Sequence, residues 1–185
     1  MFNLFNKIKK GLKNPKLIIS YFSKKIESNK KYNLKKFNWS KSDINNKLKV
    51  KKYKNYDEYI KHQSSKLEKL SESFINEYDI KYREILYKRL LKQNLVKPNM
   101  NVLCLATRIG TEVKAFIDIG CFAIGIDINP GTLNEYVVYG DFHDIQFAPN
   151  SIDVVFSNSI DHSFNLEILI KEIKRVLKIN GLLII

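Results

Sequence analysis

The spacing of apolar and polar positions changes character three times along the chain. Residues 1–22, MFNLFNKIKKGLKNPKLIISYF, alternate small apolar clusters with lysines around Gly11 and Pro15, which predicts a short interfacial helix, a break and a second apolar turn. Residues 23–55 are Lys, Asn and Ser with few large aliphatics, the pattern of a linker, with Phe37 and Trp39 as exceptions that can tuck against a core. From about Asp57 to Asn94 the period is helical. Leu67, Leu70, Phe74, Tyr78, Tyr82 and Ile85 recur at spacings of three and four, a packing stripe that Asp79 divides into two candidate helices. Lys97-Pro98-Asn99 ends this part.

Beyond Pro98, strand and helix alternate. Asn101–Leu105 reads as a strand, and Thr111–Ile119 as a helix closed by Gly120. Phe122–Asp127 is a second strand, followed by the turn Asn129-Pro130-Gly131; Tyr136–Tyr139 is a third and Ile152–Ser157 a fourth. Leu166, Leu169, Ile170, Ile173 and Leu177 define a helix capped by Asn165, and Asn180-Gly181 turns the chain into a fifth strand, Leu182–Ile185. Strands separated by helices imply a parallel sheet with right-handed crossovers. The chain thus divides into a basic arm and linker (1–56), a helical segment that packs on the core (57–97) and an α/β core (98–185).

Charge sharpens this division. The net charge of +13 is an average over unlike parts: residues 1–98 hold 26 Lys and Arg against 9 Asp and Glu, whereas residues 99–185 hold 6 against 10. A basic arm before an acidic core suits nucleic acid or anionic lipid, and equally a codon bias toward Lys, Asn and Ile. Aliphatic residues outnumber aromatic ones in residues 1–22, so an anionic membrane surface is the favoured partner and nucleic acid the lesser one. Leu17–Phe22 is too short to cross a bilayer, which takes about 20 apolar residues, and lacks a signal-peptide cleavage pattern. Cys104 and Cys121 cannot build a disulfide framework, and no Cys/His cluster suggests zinc. A cytoplasmic protein, peripheral to the membrane through its arm, is the expectation.

In an open parallel sheet, ligands bind beyond the carboxyl ends of the strands. The first strand runs into Ala106-Thr107-Arg108-Ile109-Gly110, a turn that leads into a helix N-terminus with free N–H groups. The second ends in Asp127, 17 residues beyond Gly110, where a carboxylate can accept from both hydroxyls of a ribose; Ile128 comes next. The third ends in Gly140-Asp141-Phe142-His143-Asp144, with an acid for an exocyclic amine and an aromatic ring to flank a base. Neighbouring residues on one loop rarely converge on a metal, so no metal site is expected. The fourth ends in Asn158-Ser159, with His162 close by as either a general base or a loop histidine that fixes the next helix.

The order VLCLATRIGTEV, AIGIDINP, GDFHDIQFAPNSIDVVFSNSIDH and IKEIKRVLKINGLLII resembles a class I S-adenosylmethionine-dependent methyltransferase, over about residues 98–185. It is especially similar to the methyltransferase-domain family found with glycan and cell-surface polysaccharide genes. The resemblance implies a Rossmann-like three-layer sandwich with sheet order 3-2-1-4-5. It implies S-adenosylmethionine as cofactor, with Ala106, Thr107, Arg108 and Gly110 along its methionine part, Asp127 and Ile128 at the ribose, Asp141 and Phe142 at the adenine, and Asn158 and Ser159 on the methyl-donor side. Activity would come mostly from placing a hydroxyl or similar nucleophile, on a small molecule or glycan precursor, in line with the sulfonium. The other readings are a non-catalytic binding module and an RNA methyltransferase.

The chain departs from the family pattern in two places. Cys104 occupies the place of the family's acid, and Ala106 and Arg108 stand where glycines are usual. Ala106 is therefore expected to crowd the cofactor, and Arg108 either to pair with its carboxylate or to block the loop. The chain also stops at Ile185 within the fifth strand, where the family sheet continues, so a C-terminally truncated domain is expected.

Overall fold

The structure, a computed structural model, describes residues 39–41, 49–70 and 72–185. It falls into two units, residues 1–52 and 53–185. Of the first, the described part is an antiparallel pair, β1 (Trp39–Lys41) with β2 (Lys49–Lys51), in which Trp39 stands opposite Lys51. The stretch expected as linker thus contains a strand pair. The arm at residues 1–22, with its expected membrane contact, lies outside the described residues.

The second unit begins with α1 (Tyr56–Ser64), which Asn55 caps by accepting from the Glu58 N–H at 2.9 Å. One tight turn, Leu67–Lys69, leads to α2 (Glu72–Gln93). The break between the two helices therefore falls before residue 72, and α2 runs through Asp79 without interruption. Asp79 is occupied otherwise: it accepts from the Thr111 hydroxyl at 2.9 Å and pairs with Lys114 at 2.9 Å, which ties α2 to the next helix. The stripe also shifts by one position. Leu86 and Leu90 are buried, whereas Ile85 is exposed, because the face turned to the sheet continues from Tyr82 by fours.

Next in the chain come β3 (Asn101–Leu105), α3 (Thr111–Ile119), β4 (Phe122–Asp127), β5 (Val137–Tyr139), β6 (Ile152–Phe156), a single turn at Ile160–His162, α4 (Leu166–Val176) and β7 (Leu177–Ile184). The sheet is parallel throughout, in the order β5-β4-β3-β6-β7, which is 3-2-1-4-5 when its strands are numbered among themselves. β3 lies at its centre with both faces covered, and so reads as an unbroken apolar run, Val102-Leu103-Cys104-Leu105. Alternation along that strand sorts two cores. Val102 and Cys104 face Leu86, Leu90, Val113 and Phe116 on one side of the sheet. Leu103 and Leu105 face Tyr59, Leu169, Ile173 and Val176 on the other. This is the expected three-layer sandwich.

Glycine marks both ends of α3. Gly110 (φ +80°) starts the helix and Gly120 (φ +96°) ends it, both in the left-handed region that a side chain disfavours. At the far edge Asn180-Gly181 acts as a bulge within β7, where Leu177 pairs with Ile152 and Leu182 with Val154.

Candidate functional site: the carboxyl edge of the sheet

The ends of β3 and β4 meet across a main-chain seam. Ala106 N–H donates to the Ile126 carbonyl at 2.8 Å, which brings the turn after β3 against the end of β4. Asp127, the last residue of β4, braces that turn. One carboxylate oxygen accepts from Arg108 N–H at 3.0 Å and the other from Asn129 N–H at 2.8 Å. Each oxygen has a lone pair to spare, and Asp127 lines a cleft. Burial pushes its pKa up, against the two backbone donors and Arg108.

Ala106, Arg108, Ile128, Phe142, Ser159 and His162 line the same cleft. The roof was not legible in the sequence: Tyr59 and Gln63 of α1, with Lys66 and Leu67 of the turn after it, line the cleft together with Asp127. Their helical spacing reads as packing alone, and nothing in one sequence says which turn of a helix will overhang a strand end. Asn129 is a further lining residue whose side chain reaches the Ser64 carbonyl at 2.6 Å and so fastens the roof.

A second cavity adjoins the first through the shared residues Ala106, Arg108 and Ser159. Asn158, Thr107, Tyr78, Ile109 and Glu112 complete much of its wall. Glu112 was missed by sequence reasoning, although one acid within the apolar helix pattern of α3 was a signal. Its carboxylate accepts from Asn158 Nδ2 at 3.0 Å. Burial raises its pKa to about 7, opposed by its own backbone N–H, by Asn158 and by Arg108.

Two expected site residues, Asp141 and Gly110, lie outside both cavities, and a third, Thr107, is on the wall of the second with its hydroxyl buried. Asp141 lies outside both cavities, on a separate pocket with Tyr56, His143 and Phe164. Its carboxylate accepts from the Tyr56 hydroxyl and, at 2.8 Å, from the His143 N–H. Burial works against its charge, yet these bonds outweigh it and hold the carboxyl below the usual range. Asp141 thus latches α1 to the loop after β5, and Gly140 and Phe142, the latter 5% exposed, are the members of that loop on the cleft. Thr107 lines the second cavity, but its hydroxyl is buried without a hydrogen-bond partner among the described residues and sits 2.5 Å from where a side chain on Gly125 would begin. Gly110 lines neither cavity; it serves the entry into α3.

The backbone accounts for the departures in the turn. Ala106 (φ +57°) and Arg108 (φ +48°) both adopt the left-handed conformation. That is the physical reason glycines would suit these positions, since a side chain costs about 1–2 kcal/mol there. Ala106→Gly is therefore expected to stabilise the protein by about 1 kcal/mol, read from urea unfolding. A loss of stability would mean that the alanine methyl is needed for packing. Thr107→Val is expected to gain on the order of 1 kcal/mol, because it removes an orphaned hydroxyl at constant shape. A measured loss would show that the hydroxyl has a partner in solution.

With this geometry in place, known proteins can be set beside the chain. Residues 103–185 match the family model described as a methyltransferase domain. Among solved structures, a candidate sarcosine dimethylglycine methyltransferase from Galdieria sulphuraria matches at 24% identity and a TM-score of 0.51, covering 60% of this chain and 47% of that one. The YcgJ protein from Bacillus subtilis matches at 20% identity and 0.48, covering 55% and 50%. A phosphoethanolamine N-methyltransferase from Haemonchus contortus, solved with S-adenosylhomocysteine, matches at 28% and 0.46, covering 53% and 27%. No curated protein matches the chain. This chain spans about half the length of the first two of these structures. Residues 103–185 are thus similar to a methyltransferase domain, and the Galdieria sulphuraria structure shares the fold. The roof over the cleft, residues 59–67, precedes the matched segment.

Among the described residues, no His, Cys, Asp and Glu side chains group to hold a metal ion, and no helix is long and apolar enough to cross a membrane.

Proposed function

We propose that residues 53–185 bind S-adenosylmethionine and transfer its methyl group to a hydroxyl or similar nucleophile on a small-molecule or glycan acceptor. The observation that carries this reading is Asp127: a carboxylate at the end of β4, braced by two backbone donors and still facing a cleft, is suited to a vicinal diol. The residues around it suit the rest of an adenosine. Phe142, Ile126 and Ile128 offer apolar surface to a base, and the Ala106–Arg108 turn leads from the ribose toward the second cavity. When bound, the cofactor supplies an electrophilic methyl group on a positively charged sulfur.

The chain's own part is to orient and to exclude water. Tyr59, Gln63, Lys66 and Leu67 cover the cleft from above. His162 lines it from the turn after β6. Burial holds its pKa below the ordinary histidine value, with Lys66 and Arg108 adding to the shift and Asp161 opposing it. A neutral imidazole is the form that accepts a proton, so His162 is assigned as the base for the acceptor hydroxyl. The glycan part of the reading draws on the resemblance to glycan-cluster methyltransferases.

The test is titration with S-adenosylhomocysteine, followed by transfer of a labelled methyl group to a panel of saccharides. Saturable binding and labelling that His162→Gln abolishes without loss of binding are the expected results. Binding without transfer to any acceptor supports the non-catalytic reading, transfer to RNA supports the RNA methyltransferase, and absence of binding overturns the cofactor assignment.

A further inference from the structure

A second group of titratable side chains lies outside the cleft, on the separate pocket that takes Asp141. His143, 9% exposed, stands between Asp141 and the half-buried Ser163. Its Nδ1 lies 3.0 Å from Asp141 Oδ1 and 2.9 Å from the Tyr56 hydroxyl oxygen, and its Nε2 lies 2.9 Å from Ser163 Oγ. The Asn165 N–H donates to the same Nε2 at 3.2 Å. A backbone N–H can only donate, so Nε2 is the bare nitrogen and Nδ1 carries the proton. Nδ1–H is thus aimed at the Asp141 carboxylate, and the Ser163 hydroxyl can turn its proton onto Nε2. The carboxylate is itself fixed from two sides, by the Tyr56 hydroxyl on Oδ2 and by the His143 backbone N–H on Oδ1.

Fastening α1 to the loop after β5 takes Tyr56, Asp141 and one imidazole nitrogen. It does not take a serine on the other nitrogen, in the tautomer that removes a hydroxyl proton. A hydroxyl, an imidazole and a carboxylate bonded in that order are the arrangement that makes serine a nucleophile. Phe164 and Asn165, which follow Ser163, line the pocket beside His143. The Phe164 N–H has no acceptor among the described residues, and the Asn165 N–H loses its acceptor when a proton reaches Nε2. Both are therefore donors for an oxyanion that forms next to Ser163. The pocket wall is largely apolar, with Tyr56, Tyr139, Phe164 and Ile168, and its carboxylates are Asp141 and Asp144. Such a surface suits an uncharged ester with a short apolar or aromatic acyl group, and it repels an anionic one.

We propose that Ser163, His143 and Asp141 form a hydrolytic triad for uncharged carboxylic esters, a second activity separate from the proposed methyl transfer. Ser163 Oγ attacks the ester carbonyl carbon while its proton passes to His143 Nε2. The bond from that carbon to the alcohol oxygen then breaks, and the alcohol leaves with the proton from Nε2. Water attacks the acyl-serine by the same path. Its proton passes through Nε2 to Ser163 Oγ, and the acyl group leaves as the carboxylic acid, so one ester and one water give one acid and one alcohol. Asp141 orients the imidazole and stabilises its cation. Tyr56 is a positioning residue that acts through Asp141.

An uncharged alkyl fluorophosphonate tests the nucleophile directly, because it phosphonylates an activated serine with loss of fluoride. The full chain is expected to gain one adduct, mapped to Ser163 by peptide mass, and to hydrolyse p-nitrophenyl butyrate; Ser163→Ala is expected to do neither. His143→Gln is expected to slow labelling by about a hundredfold or more, the scale of general-base catalysis, and Asp141→Asn by about tenfold or more. Tyr56→Phe, which loosens the latch and leaves the three residues in place, is expected to keep the rate within about tenfold, the scale of one hydrogen bond. Absence of an adduct under conditions that label a serine esterase completely overturns the triad. Labelling of Ser163 that His143→Gln and Asp141→Asn leave unchanged also overturns it, because Ser163 would then be a hydroxyl without an activating base. Labelling without turnover of the ester overturns the hydrolytic step. The comparison of the parent with Ser163→Ala decides the nucleophile even where His143→Gln fails to fold.

Discussion

Asp127→Asn is expected to weaken S-adenosylhomocysteine binding by about tenfold to a hundredfold, the scale of about 1.5–3 kcal/mol for hydrogen bonds to a charged group. Asparagine is the better probe than alanine because Asp127 also accepts from the N–H groups of Arg108 and Asn129. Alanine would orphan both donors at once and confound ligand binding with collapse of the turn. Asparagine keeps the volume and one acceptor, while its amide nitrogen faces the second donor. A modest loss of stability, on the order of 1 kcal/mol, should therefore accompany the loss of affinity. The ribose assignment is checked by removing the other partner. The parent chain should lose affinity for a 2′-deoxy analogue, and Asp127→Asn should no longer distinguish that analogue from the parent ligand. If the variant binds S-adenosylhomocysteine as well as the parent does, Asp127 is a brace for the turn and not a ligand.

Gly110→Ala is expected to cost about 2–4 kcal/mol, combining left-handed strain with overpacking. It should lower the melting temperature by on the order of 10 °C. Its φ of +80° disfavours any side chain, and a methyl group would come within 2.8 Å of Tyr136 Cβ and 3.1 Å of Val137 Cγ2. Those atoms sit at the start of β5, beside the core formed by α3 and β3, and have little room to yield. The contrast with Ala106 is informative, because the two positions belong to one turn and share the sign of φ. At Ala106 a methyl is tolerated at the cost of backbone strain alone, whereas at Gly110 the space is already filled. Thermal unfolding of both single variants checks this directly; a Gly110→Ala protein as stable as the parent would mean that β5 shifts to make room.

The part of the site most legible in the sequence was the part that local order dictates. A strand that ends in Asp127 places a carboxylate at the sheet edge however the rest folds, and the alternation along 101–105 and 122–127 is a property of the strands themselves. Asn158 and Ser159 take their places after β6 in the same manner. Asp141 left the cleft because its partners, Tyr56 and His143, include one that lies 85 positions away; proximity in sequence to a β-strand end says nothing about a tyrosine arriving from α1. The Thr107 hydroxyl is aimed by the left-handed residues on either side of it, here toward Gly125, and no periodicity in the sequence records that.

Sequence alone determined the order of elements, the parallel sheet and the place of Asp127, since hydrophobic period, chain order and right-handed crossover admit few alternatives. The 3-2-1-4-5 order came with the family resemblance, and the strand pairings agree with it. Tertiary structure decided the rest. It chose the face on which α1 lands, so that Tyr59 and Gln63 roof the cleft and Tyr56 latches Asp141. It buried Glu112 on the wall of a cavity shared with Arg108, a placement that no helix pattern records. The physical reason is the same in both cases: a local pattern fixes which face of an element is apolar, and packing between distant elements fixes what that face, and the polar residues at its margin, come to meet.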